Sequence, residues 1–180
     1  MTRFQIPVVL IILLSVGGCG KAPIEEAVGK NDRGAVAEAI RAGADVNART
    51  SSGDSPLLLA AKSGQSSSAQ ALIEGGADIQ VLDNEGNNAL HYSARSGMTG
   101  ICGLLIDRGI DASVAGQSGD TPLHFAVRAG KQETAKYLVR RGASLEQKNA
   151  AGASALDLVT ASGDQRFGND LKFAATTRAP

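Results

Sequence analysis

The sequence predicts an all-α repeat solenoid, and three observations support this prediction. Glycines recur at a spacing of 33 residues in three separate sets, of which one contains Gly53, Gly86, Gly119 and Gly152. Leucines keep the same spacing, as in Leu57, Leu90, Leu123 and Leu156. Residues that begin and end short helices recur in step with them. A fixed period of this length is typical of stacked units that bury one continuous core.

The stretch 119–130 shows how one helix of the repeat is specified. Thr121 can accept a hydrogen bond from a free backbone N–H of the first turn, and Pro122 occupies the first helical position, where no N–H is needed. Gly130 suits the left-handed turn that ends the helix. The run Thr-Pro-Leu-His-Phe-Ala at 121–126 resembles the ankyrin-repeat motif. The resemblance implies pairs of antiparallel helices with projecting β-turn hairpins.

About five repeats follow from this period, at residues 20–49, 50–82, 83–115, 116–148 and 149–173. The first and last are expected to be caps, because the end of a solenoid needs a polar outer face. Asn31 stands where later repeats carry glycine, and Asn also tolerates a left-handed turn. Phe167 and Leu171 form the apolar side of the last helix. We expect a repeat domain over 23–173 and a frayed tail over 174–180.

The N-terminal segment is predicted to be a signal peptide, residues 1–18. Arg3 precedes an apolar run of about 11 residues, which is too short to span a bilayer. The following Val16-Gly17-Gly18-Cys19 resembles a bacterial lipobox, although leucine is commoner at the first position and alanine or serine at the second. An ordinary secretory signal is the alternative.

This resemblance implies that Cys19 carries lipid, palmitate included, and anchors the protein to a membrane. Residues 19–22 would then be a short tether that holds the repeats close to that membrane. Gly20 follows the cysteine where aspartate would favour retention, so in a Gram-negative host we expect the outer membrane, facing the periplasm.

Composition excludes some functions. Acidic and basic residues balance at 18 each and aromatic residues make up 3%, so neither a nucleic-acid surface nor a base-stacking platform is expected.

Cys19 and Cys102 are not expected to form a disulfide, and Cys102 falls at a small core position. His91 and His124 could pair as metal ligands, but both occupy the histidine position of the motif, and zinc needs further ligands. We therefore expect no metal, no cofactor and no enzyme activity.

The remaining candidate is a surface that binds another protein. In ankyrin proteins the hairpin tips and the exposed side of the first helices form a concave recognition face, and the tips here include Leu82. The predicted partner-binding residues are Arg49, Leu59, Lys62, Gln80, Asn84, Tyr92, Arg95, Gln117, Phe125, Arg128 and Lys148, with Leu58 as a further first-helix candidate. Exposed apolar groups beside basic ones are typical of interface hot spots.

The function expected is that of a monomeric, membrane-anchored adaptor that binds a protein partner of the cell envelope by covering or positioning it. The alternative is an immunity-type inhibitor lipoprotein that neutralises a membrane-active toxin. The sequence does not identify the partner, and fold alone does not determine function.

Overall fold

The computed structural model describes residues 23–177, which form five antiparallel helix pairs. This confirms the predicted all-α solenoid. The pairs are α1 (Pro23–Gly29) with α2 (Arg33–Arg41), α3 (Pro56–Lys62) with α4 (Ser66–Glu74), α5 (Ala89–Ser96) with α6 (Thr99–Asp107), α7 (Pro122–Arg128) with α8 (Gln132–Arg140), and α9 (Ala155–Ser162) with α10 (Gln165–Thr176). The first helix of each pair packs against the first helix of the next pair.

Local capping explains where these helices begin and turn. Ser55 Oγ accepts a hydrogen bond from Leu58 N at the start of α3, and Asn88 Oδ1 accepts from Leu90 N at the start of α5. The Asn31 backbone lies in the left-handed region at φ 50°, as its position in the repeat predicts. Its side chain also serves the next repeat, because Asn31 Oδ1 accepts from the backbone of Ser67 at 3.1 Å. Helix α4, whose own N-cap residue makes no side-chain cap, is therefore capped by repeat one.

The apolar core runs through the whole array. Leu90, Leu123 and Leu138 are fully buried, and so is Cys102. Leu156 shares the register of Leu90 and Leu123 but is only half-buried, because within residues 23–177 no further repeat covers α9. Burial of a leucine side chain contributes about 2 kcal/mol, so the interior repeats carry most of the hydrophobic stabilisation.

Four fingers project between the helix pairs, at residues 42–55, 75–88, 108–121 and 141–154. The tip of each finger is a tight turn closed by backbone hydrogen bonds. In the first finger, Thr50 N donates to Asp54 O and Gly53 N donates to Thr50 O. In the described residues the one β-bridge outside the helices joins Lys148 and Ser154. The hairpins that the family resemblance implies are thus turns with almost no strand.

The C-terminal boundary differs from the prediction. Helix α10 continues past Phe173 to Thr176, and Ala174 is buried against the array, so the tail cannot begin at residue 174. The predicted signal peptide, the lipobox and the tether, residues 1–22, lie outside the described residues. Within residues 23–177 no helix is long and apolar enough to cross a membrane.

Candidate protein-binding surface

The exposed side of the first helices carries a basic residue at the same position in three consecutive repeats. These residues are Lys62 on α3, Arg95 on α5 and Arg128 on α7, each 33 residues from the next. We call them the basic row. The fingers flank this row, since Lys62 and the tips of the first two fingers line one cleft. The three charges have very different surroundings.

Lys62 is held between two carboxylates. Its Nζ lies 2.8 Å from Asp54 Oδ1 and 3.3 Å from Asp83 Oδ2. Burial alone would lower the pKa of Lys62, but hydrogen bonds and charge from Asp54 and Asp83 outweigh it and raise the pKa. Lys62 is therefore neutralised by its own chain and ties the first finger to the second.

Arg128 is neutralised in the same way at the other end of the row. Its guanidinium donates to Asp120 Oδ2, and Asn149 Nδ2 donates to Asp120 Oδ1 at 2.7 Å. Burial would raise the pKa of Asp120, but hydrogen bonds from Arg128 and Asn149 hold it below its usual value. This arrangement fixes Arg128 against the base of the third finger.

Arg95 differs from both neighbours because its repeat lacks the matching carboxylate. The position eight residues earlier is Asp54 for Lys62 and Asp120 for Arg128, but it is Asn87 for Arg95. Within residues 23–177 no carboxylate forms an ion pair with Arg95, which is exposed. Its guanidinium instead lies 4.8 Å from the centroid of the Tyr92 ring.

The sequence pattern did not identify Asp54, Asn87 and Asp120 as site residues. These three residues are 33 apart, and each lies eight residues before its own member of the basic row. That spacing is the signal that could have found them.

Two of the apolar first-helix candidates are not exposed. Leu58 is 1% exposed and Tyr92 is 5% exposed, so the prediction that they present side chains to a partner is wrong. The Tyr92 hydroxyl donates to Asp83 Oδ2, and its ring meets the Phe125 ring edge-on at 5.9 Å. Tyr92 acts as a support beneath Arg95. Leu59 and Phe125 are half-buried.

The finger candidates lie at the exposed surface. Arg49, Gln80, Asn84, Gln117 and Lys148 are all exposed. Leu82 at the tip of the second finger is 52% exposed.

Two open depressions lie on this side. The first, of about 380 Å³, separates the first and second fingers and is bounded by Arg49, Leu82 and Tyr92. The second, of about 290 Å³, is lined by Arg95, Phe125, Arg128 and Ala129. We call it the Arg95 groove. Its surface is mostly apolar, and its size suits one or two side chains better than a whole small-molecule ligand.

The histidines are engaged in structure. His91 Nδ1 lies 3.2 Å from Asn88 N, and His91 Nε2 lies 3.2 Å from Asp120 O in the next finger. A proton on Nε2 satisfies both contacts, because Nδ1 then accepts and Nε2 donates. Burial lowers the pKa of His91 to about 4, so its ring is neutral at pH 7. His124 repeats the arrangement with Ala153 O at 3.1 Å.

The Cys102 thiol is buried in the core. Burial raises the pKa of Cys102 to about 12, which keeps the thiol protonated. Within residues 23–177 no group of three or more His, Cys, Asp or Glu side chains could hold a metal ion.

The comparison with known families agrees with this geometry. A model of ankyrin repeats in three copies matches residues 24–116, and a single ankyrin-repeat model matches residues 118–150. The chain belongs to the ankyrin-repeat family. No curated protein gave a significant match. The family models cover four repeats, and α9 and α10 form a fifth pair beyond them. As an array of ankyrin repeats, the chain is a protein–protein interaction module.

Proposed function

We propose that this ankyrin array is a membrane-anchored adaptor, tethered through lipid on Cys19, that binds another protein of the cell envelope. The observation that carries the proposal is the continuous side formed by the basic row and the exposed finger tips. Arg and aromatic side chains are enriched in protein interfaces, and Arg95 and Phe125 are of these kinds. Leu82 adds an exposed apolar side chain at a finger tip.

The proposed mechanism is steric binding without catalysis. Several features support it. His91 and His124 form hydrogen bonds between repeats, and the Cys102 thiol is buried. The carboxylates beside the basic row are paired with cations or a hydroxyl group. A stack in which each repeat contacts only its neighbours presents a rigid extended surface suited to covering a partner.

Capture of crosslinked partners from membranes tests the surface. A tip variant that combines Gln80→Ala, Leu82→Ser and Asn84→Ala changes three exposed finger residues. A matched control combines Lys131→Ala, Glu133→Ala and Arg140→Ala on the second-helix side. We expect the tip variant to lose a partner that the wild type and the control both retain, with similar melting temperatures. Equal capture by all three proteins would refute the surface. Capture of a membrane-active toxin would favour the inhibitor alternative.

The lipid anchor is tested separately. We expect labelled palmitate to enter the wild-type protein, and Cys19→Ala to abolish labelling and move the folded protein into the soluble fraction. A Cys102→Ala variant is the matched control, because that thiol is buried and should not affect labelling. Labelling that persists in Cys19→Ala would refute the anchor.

A further inference from the structure

We infer that Arg95 and the Arg95 groove bind a segment of the partner protein in which an Asp or Glu side chain lies beside an apolar one. This inference rests on the proposed function and specifies the chemistry of the partner. It follows from the difference between Arg95 and the other two members of the basic row.

Lys62 and Arg128 already have carboxylates within their own chain, at Asp54 and Asp120 respectively. In the described part of the chain Arg95 has no such partner, because Asn87 replaces the aspartate. A guanidinium has five N–H donors in a planar fork that matches a carboxylate in two parallel hydrogen bonds. The basic row therefore offers one cation whose natural complement must come from outside.

The position of this cation is also fixed in advance. The guanidinium of Arg95 stacks at 4.8 Å on the Tyr92 ring, and the Tyr92 hydroxyl is bound to Asp83. The Phe125 ring supports the Tyr92 ring from the next repeat, at 85° between the planes. A preorganised group loses less conformational freedom on binding, which favours affinity.

The groove adds the apolar half of the recognition. It is bounded by Phe125 and Ala129 as well as by the two arginines, and its exposed surface is mostly apolar. A carboxylate on Arg95 would leave the neighbouring residue of the same segment over the Phe125 ring. Polar groups would fix the register, and apolar contact would supply much of the binding energy.

The same observations disfavour an anionic membrane surface as the occupant. Recognition of anionic lipid uses clusters of about four to eight basic residues. Here two of the three cations in the row are already neutralised, and an apolar groove lies beside the third. Arg95 is the one member of the basic row without an internal carboxylate, and its place beside this apolar groove fits an acidic and apolar protein segment.

The test is selection of random peptides displayed on phage against the full chain in detergent micelles. Sequences enriched on the wild type over an Arg95→Gln variant should carry Asp or Glu beside an apolar residue. Their affinity should fall roughly tenfold in Arg95→Gln, the size expected when a charged hydrogen-bonded pair is lost. Arg140→Gln, which removes an exposed arginine from α8, is the matched control and should leave affinity unchanged.

Two further variants test the charge of Arg95 and the shape of its guanidinium separately. Asn87→Asp gives Arg95 the internal carboxylate that Lys62 and Arg128 have, so it should weaken the same peptides although Arg95 is intact. Arg95→Lys keeps the charge but loses the planar fork, and an intermediate affinity is expected. Circular dichroism melts confirm that each variant is folded.

The outcomes are distinguishable from those of the proposed function. Enriched peptides without acidic residues, no enrichment over Arg95→Gln, or equal affinity in both proteins would overturn the inference. If the tip variant nevertheless loses its partner, the adaptor proposal stands and only the acidic chemistry fails. If the tip variant keeps its partner, the adaptor surface itself is wrong.

Discussion

The first and second fingers are joined differently from the second and third. Between the second and third, Gln117 N donates to Glu85 O at 3.0 Å, and His91 Nε2 reaches Asp120 O. Between the first and second, Leu58 occupies the histidine position, and within residues 23–177 no backbone hydrogen bond links the two tips. The two carboxylates around Lys62 connect these fingers instead, together with a hydrogen bond from Asp78 N to Asn47 Oδ1 at 2.8 Å.

This difference shows how one repeat sequence yields two kinds of junction. Where a neutral buried histidine bridges the repeats, the fingers lie close together. Where leucine replaces it, a cleft of about 380 Å³ opens between the tips, and Lys62 with its two carboxylates lines that cleft. Acid weakens the histidine junction because it protonates the buried ring, whereas salt weakens a partly exposed ion pair because it screens the two charges. The two junctions should therefore fail under different conditions.

The largest expected effect is the response of the histidine junction to acid. His91 has a pKa of about 4 in the folded chain and an ordinary value of 6.5. The unfolded chain therefore binds the proton first, and stability falls as the pH drops from 6.5 towards 4. The loss should be on the order of 3 kcal/mol and complete near pH 4.

Urea unfolding of the wild type and of His91→Leu, which copies the residue at position 58, measures this effect. At pH 7 the variant should be less stable by about 1–2 kcal/mol, because Asn88 N and Asp120 O lose their partner. The gap should close or reverse at pH 4. Titration of Asp83 and Asp120 is common to both proteins and cancels in the difference. Parallel curves from pH 7 to pH 4 would contradict the assignment.

The second effect comes from the spacing of the fingers. Gly86 and Gly53 occupy the same position in consecutive fingers, with φ of 70° and 84°. A Cβ on Gly86 would lie 3.0 Å from Gln117 N in the third finger, whereas one on Gly53 would meet nothing within 4 Å. Both Gly→Ala changes should cost about 1–2 kcal/mol from backbone strain.

The close approach should add roughly 1 kcal/mol more in Gly86→Ala, because the neighbour is partly backbone and cannot move freely. Denaturant unfolding of the two variants under the same conditions gives the difference directly. Equal losses would mean that the second and third fingers are not held closer than the first and second.

The fold was predictable because its signals are local and repeated. Gly53, Gly86 and Gly119 each mark a turn that needs positive φ, and Leu90 and Leu123 each mark a buried helix face. Stacking then requires only that each repeat contact the next. Leu156 is the exception, because the period gives it the register of Leu90 and Leu123 but does not give the extent to which its neighbours cover it.

The candidate surface was less predictable because exposure depends on contacts between repeats. Tyr92 and Phe125 share a register, yet Tyr92 is buried because Asp83 and Phe125 enclose it, while Phe125 is half-buried. Asp83 has no acidic counterpart at Thr50, Gly116 or Asn149. A feature present in one repeat, such as the Asp83 carboxylate that binds the Tyr92 hydroxyl, is invisible to an argument from the period.

The smallest expected effect is at the ionic junction. Lys62→Gln removes the cation between the first two fingers, but Asp83 keeps the Tyr92 hydroxyl and the backbone N–H groups of Glu85 and Asn87. Because that carboxylate remains satisfied and Lys62 is 29% exposed, the loss should be about 0.5–1 kcal/mol. The difference from the wild type should shrink in high salt, whereas the loss in His91→Leu at pH 7 should not. Urea unfolding of both variants at low and high sodium chloride measures this. A salt-independent loss as large as that of His91→Leu would show that Lys62 is a buried structural tie, and the two junctions would then be equivalent.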